Sequence, residues 1–224
     1  MRHVAMNLVA AAALGLCSAQ ARADSVDFLG FTHGSKTVNY SLSAPNAGKT
    51  GSAHAGGFLT SWDGGPSFTS YCVDLYQTIN FANPAYTDYG HVAGSAYAFA
   101  NTGANADLAR LYSFSALVNT AKEEAAFQIA VWEIVYESTG VYNLAGGAAT
   151  FSGGTAASSG ALALASTWLG TLGTGDDVMI HVLASASRQD VIYAAPIPEP
   201  ETYALMMAGL MGVTFVARRR RARG

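Results

Sequence analysis

Cysteine is almost missing from this 224-residue chain, with only Cys17 and Cys72 present. Lysine and arginine are scarce through its body as well. Between Asp24 and Ala195 five basic side chains (Lys36, Lys49, Arg110, Lys122, Arg188) face thirteen acidic ones. A body this acidic has no basic patch to meet phosphates, which excludes nucleic acid as a partner. Histidines are few and isolated. His33, His54, His91 and His181 lack metal-ligand spacing, so no metal or other cofactor is expected. There is no Gly-x-Ser-x-Gly elbow and no phosphate-cradling glycine loop, and the chain does not read as a conventional enzyme. Glu123-Glu124 and Asp176-Asp177 read as solvated or dipole-compensating carboxylates rather than a catalytic pair. No internal repeat is present.

The two ends carry what the body lacks. Arg2 and His3 precede an apolar stretch from Val4 to Leu16, and Ala21-Arg22-Ala23 supplies small residues for cleavage. This is the layout of a secretory signal over residues 1–23, and Cys17 leaves with it. At the other end, Pro198-Glu199-Pro200 is followed by the uncharged run Tyr203 to Ala217 and then by Arg218, Arg219, Arg220 and Arg221. An arginine cluster resists transfer across a bilayer, stays cytoplasmic and leaves the preceding chain outside. The run is shorter than the ~20 residues that span a hydrocarbon core comfortably, so its hold on the membrane is weak.

Pro-Glu-Pro, a short apolar stretch and a terminal arginine cluster together resemble the PEP-CTERM sorting tail of Gram-negative envelope and biofilm proteins. That resemblance implies processing of residues 195–224 by an exosortase, with the inner membrane as a transient anchor. It implies export to the cell surface or the extracellular matrix. Such tails occur on proteins of unrelated function, some of them ice-binding, so the tail supplies an address and no activity.

Residues 24–194 then form one extracytoplasmic domain, long enough for a sizeable core. Val26 to Phe31, Lys36 to Ser43, Gly57 to Trp62 and Ser67 to Phe81 read as strands punctuated by glycine, proline and asparagine turns. Asp107 is placed to cap a helix to about Val118. Thr120 and Glu123 make a capping-box pair for a second helix ending near Ser138-Thr139-Gly140. That second helix is apolar nearly all round, the mark of a buried element. A short helix over Ala161 to Leu169 and strands over Asp177 to Leu183 and Gln189 to Tyr193 complete the domain. The expected fold is α+β: a mostly antiparallel β-sandwich or barrel with an inserted helical pair, flanked by an N-terminal signal helix and a C-terminal membrane helix.

Once the signal is removed, Cys72 is the single remaining cysteine. In an oxidising compartment a lone thiol is buried and inert, paired with another chain, or engaged in other chemistry. Gln128 lies in the most apolar helix, with Glu124 one turn before it and Trp132 one turn after. A primary amide there needs partners for both donors and its acceptor, and a core glutamine bonded to strand backbone satisfies that need.

The residues around both positions resemble the thioester domains of bacterial surface adhesins. Tyr71-Cys72-Val73 matches an aromatic-cysteine-apolar motif, and Phe127-Gln128-Ile129-Ala130-Val131-Trp132 matches a later glutamine motif, with Phe127 standing where the family has threonine. The resemblance implies a cross-link between Cys72 and Gln128, covered by Tyr71 and Trp132. It further implies covalent attachment to an amine-bearing surface or matrix polymer. The competing expectation is a passive, non-covalent matrix component whose Cys72 is a small buried hydrophobe.

Overall fold

The computed structural model describes residues 25–44, 48–81, 85–137, 140–173, 178–196, 206–207 and 209–211. The signal segment 1–23, the Pro198-Glu199-Pro200 motif and the arginines at 218–221 lie outside them. Among the described residues nine strands form two antiparallel sheets. The larger is curled into a half-barrel in the order β1 (Val26–Phe31), β4 (Phe58–Trp62), β5 (Phe68–Cys72), β9 (Val191–Pro196), β8 (Val178–Ser185), β6 (Tyr89–Ala93). The smaller places β2 (Lys36–Leu42) between β3 (Lys49–Ala55) and β7 (Ala149–Ser152). The α-helices described in the body are α1 (Ala104–Leu111), α2 (Ala121–Tyr136), α3 (Gly154–Ser158) and α4 (Ala161–Gly170). Helices α1 and α2 enter between β6 and β7, as an inserted pair.

Helix α2 is the hub. It packs on strands of both sheets and on α1, α3 and α4. Every residue from Glu124 to Tyr136 is buried, as expected of a helix with no consistently polar face. Its start is fixed by Thr120, whose hydroxyl accepts from the Glu123 N–H at 3.4 Å. The Glu123 carboxylate reaches back to the Asn119 N–H at 3.0 Å, one residue upstream of the reciprocal partner in a standard capping box. Phe127 is enclosed by Tyr71, Tyr112 and Trp168, with ring centroids 4.5, 5.1 and 6.2 Å away. Trp132 stacks on Phe151 of β7 at 6.0 Å. These contacts fix α2 between the two sheets.

Several boundaries differ from expectation. The strand expected over Ser67 to Phe81 ends at Cys72, because the Asp74 carboxylate accepts from the Tyr76 N–H at 2.7 Å and turns the chain. Asp107 is not the cap of α1: Gly103 holds that position, while Asp107 pairs with Arg110 at 2.8 Å and accepts from the Tyr142 hydroxyl. Helix α1 gives way to a 3₁₀ segment over Tyr112–Leu117. Strands β3, β6 and β7 form where no strand is expected. Of the apolar run Tyr203 to Ala217 only five residues are described. They are helical where described, with Met206, Met207, Leu210 and Met211 exposed. No described helix is long and apolar enough to cross a membrane.

Near its C-terminal end α2 carries two further acids. Glu133 is fully buried; its Oε1 accepts from the Asn143 N–H at 2.6 Å, and its Oε2 has no partner among the described residues. Burial raises its pKa from 4.5 to about 7; the Asn143 N–H opposes the shift and the nearby Glu137 adds to it. The folded state therefore holds a proton that the unfolded chain has already released. Stability is fully present below the unfolded value of 4.5 and falls as pH rises through about 7. Urea unfolding followed across this window is expected to show that decline in the wild type. Glu133→Gln should flatten it, and an unchanged slope would remove Glu133 as its source.

Candidate functional site

The end of β5 is held on α2 by one helical stripe. Glu124, Gln128, Trp132 and Tyr136 recur every four residues, so they share a face. Each meets the segment from Tyr71 to Leu75. The Tyr71 hydroxyl donates to Glu124 Oε2 at 2.9 Å. The Gln128 carboxamide pairs with the Cys72 main chain twice, Oε1 accepting from the Cys72 N–H at 2.9 Å and Nε2 donating to the Cys72 carbonyl at 2.8 Å. The Tyr136 hydroxyl accepts from the Leu75 N–H at 2.7 Å.

Two consequences follow. The side chain of Gln128 stands in for a neighbouring strand. Opposite Cys72 the other edge of β5 pairs with β9 through Val191, whereas β4 reaches only to Phe58, whose partner is Ser70. Beyond that register Gln128 supplies the donor and acceptor that a strand residue would have offered. The structure also brings the Gln128 side chain to the main chain of Cys72, 56 positions away along the chain, while the Cys72 thiol makes its own contact with Asp74.

The thiol itself is shut away. Cys72 is 1% exposed and, among the described residues, bonded to no other cysteine. Its Sγ donates to the Asp74 carbonyl at 3.1 Å. Burial pushes its pKa up to about 12, and the Trp132 indole and the Asp74 main chain pull it down by less. Among the described residues the Trp132 N–H has no hydrogen-bond partner of ordinary geometry. Tyr71 turns the other way, onto Phe127 and Glu124.

On the side of the thiol lies a cavity of about 310 Å³ lined by Phe31, Phe58, Phe81, His54, Trp132 and Cys72, among others. Lys49 reaches its wall and donates to the Leu75 carbonyl at 2.6 Å.

Glu124 corrects the sequence reading. It is not a solvated first-turn acid but is 1% exposed, at the centre of a network. Oε1 meets His33 Nδ1 at 2.7 Å, and Oε2 accepts from the Gly57 N–H at 3.1 Å as well as from Tyr71. Gly57 must be glycine here, since a Cβ would fall 2.5 Å from Glu124 Oε2 and 2.6 Å from Thr69. The four-residue spacing from Glu124 to Tyr136 was the available signal, yet neither Gly57, His33 nor Tyr136 carries a motif that announces its role. The remaining histidines serve elsewhere. His54 meets Ser35 at 3.4 Å, and His91 and His181 stack at 4.8 Å beside Tyr193. Among the described residues no three potential ligands converge to hold a metal.

Comparison with curated proteins and with solved structures gives no match for this chain. Residues 196–221 match the PEP-CTERM protein-sorting motif, which indicates an exported protein that is targeted to an exosortase and anchored in the membrane before processing.

Proposed function

We propose that this exosortase substrate is a cell-surface or matrix protein that attaches covalently through a thioester between Cys72 and Gln128. The supporting observation is the hold of the Gln128 carboxamide on Cys72. The Cys72 N–H lies 2.9 Å from Oε1, where it polarises the carbonyl and meets the charge that gathers on that oxygen when sulfur attacks carbon. Proximity replaces a bimolecular encounter. In the forming step the Cys72 Sγ bonds to Gln128 Cδ, the Cδ–Nε2 bond breaks, and the thiol proton leaves with the nitrogen as ammonia. A primary amine then adds to Cδ, the carbon–sulfur bond breaks, and a proton from the amine returns to Cys72. The product is an amide to the target, formed once and without turnover. Burial of the sulfur and the cover of Trp132 keep water from the acyl carbon. In this reading the thiol, with its pKa near 12, carries its proton until it transfers to the leaving nitrogen.

A second reading has its own observation. Both polar ends of the amide are already satisfied by the Cys72 main chain. On that basis Gln128 closes the strand edge, Cys72 is an inert core residue, and the domain serves the matrix without covalent chemistry.

Mass separates the two. In protein recovered from the exported fraction, the proteolytic fragments holding Cys72 and Gln128 are expected to remain joined and one ammonia lighter than their sum. Methylamine should release them, adding at Gln128 and freeing the thiol. Cys72→Ala should restore the full unmodified mass. Measuring fragments keeps the result independent of tail cleavage. Full mass in the wild type, with no methylamine addition, leaves the passive reading alone.

A further inference from the structure

A second cavity, of about 250 Å³, adjoins the 73–77 segment, and nothing above gives it a use. Its walls are aromatic: Tyr76, Tyr97, Phe99 and Tyr136 line it, with Tyr97 and Phe99 at 4.7 Å and Tyr76 and Tyr136 at 6.2 Å between ring centroids. The Asp74 carboxylate is in the wall, and no lysine, arginine or histidine lines the space. We propose that this cavity is a binding site for a small organic ammonium ion bearing N–H donors, such as a primary alkylammonium.

Each wall contributes to that choice. Aromatic faces attract a cation through the ring quadrupole, most strongly where water is excluded. Tyr76 already does so for the protein's own Lys49, whose ammonium lies 5.4 Å from the ring centre and belongs to the neighbouring cavity. Aromatic walls alone would suit a quaternary ammonium equally. Asp74 selects instead for an ion that can donate a hydrogen bond, which its carboxylate makes charge-assisted. Asp190, which accepts from the Tyr97 hydroxyl, adds negative charge nearby, and Asp74 feels Asp190 more strongly than it feels Lys49. The site does not depend on the thioester. It stands if Cys72 and Gln128 never react.

The test uses the full-length protein in detergent, titrated with n-butylammonium, tetramethylammonium and n-butanol by calorimetry. Saturable binding of n-butylammonium is expected, weaker binding of tetramethylammonium, and none of butanol. Asp74→Asn should weaken n-butylammonium at least about tenfold. Phe99→Leu, which removes one aromatic wall at similar volume, should weaken both ammonium ions together and report independently should Asp74→Asn fail to fold. Absence of saturable n-butylammonium binding overturns the proposal. So does binding that neither variant weakens, which places the ion elsewhere, and so does butanol binding of equal strength, which makes the cavity merely apolar. Fragment masses at Cys72 and Gln128 play no part in any of these outcomes.

Discussion

Gln128→Leu is expected to lower the free energy of unfolding by roughly 2–6 kcal/mol, although leucine nearly preserves the volume. The reason lies in what the substitution leaves behind. The Cys72 N–H and carbonyl are buried at the end of β5, and Gln128 is the partner of both. Removing the amide orphans one donor and one acceptor at once, each worth about 1–3 kcal/mol when it cannot reach water. Gln128→Glu separates the two. Its carboxyl oxygen can still accept from the Cys72 N–H, but only its protonated form can donate to the Cys72 carbonyl. Held near a carbonyl in a buried site, the new carboxyl has its pKa raised. The variant should therefore approach wild-type stability at low pH and lose it as pH rises. Denaturant unfolding at several pH values reads both effects. A Gln128→Leu protein as stable as wild type would show that water or main-chain movement satisfies Cys72, and that the carboxamide does not fix the strand end.

This dual role of Gln128 explains how much of the site was legible in sequence. A primary amide in an all-apolar helix already implied a specific partner, and the spacing of Glu124, Gln128 and Trp132 put three polar-tipped side chains on one face. The strand half of the site was harder to read. The β-propensity of Phe68, Tyr71, Val73, Leu75 and Ile79 suggested an unbroken strand, whereas Asp74 captures the Tyr76 N–H and ends pairing at Cys72. That turn places Tyr76 and Gln77 beside the second cavity, a position no periodicity reveals. Strand β3, Lys-Thr-Gly-Ser-Ala-His-Ala, has almost no hydrophobic pattern, because it lies at the edge of its sheet and most of its residues face solvent. Long-range pairing with β2 makes it a strand, and propensity does not. Glu124 was misread for a related reason. A first-turn glutamate is ordinarily solvated, and only the approach of Gly57, Tyr71 and His33 from distant segments encloses it.

Glu124→Ala is expected to cost about 2–6 kcal/mol, because it leaves two buried donors without their acceptor, each worth about 1–3 kcal/mol. In a domain of this size that corresponds to a fall in melting temperature of roughly 10 °C. The alanine strips the Gly57 N–H and the Tyr71 hydroxyl of their acceptor, and both are buried. Glu124→Gln is the control for shape. Its carbonyl oxygen can still serve Gly57, and its amide can donate to the Tyr71 oxygen if the hydroxyl turns, so it should cost clearly less. A Glu124→Ala protein within about 1 kcal/mol of wild type would show that the network is incidental to folding. Glu124 and Gln128 hold adjacent residues of one strand, Tyr71 and Cys72, on the same helix. Their losses should therefore not add. Once Glu124→Ala has freed the end of β5, Cys72 can move toward solvent and recover hydrogen bonds that Gln128→Leu denies it. The double variant is expected to cost less than the sum of the single ones. Strict additivity would mean that α2 grips Tyr71 and Cys72 independently, and that the Cys72–Gln128 contact needs nothing from the Glu124 network to keep its geometry.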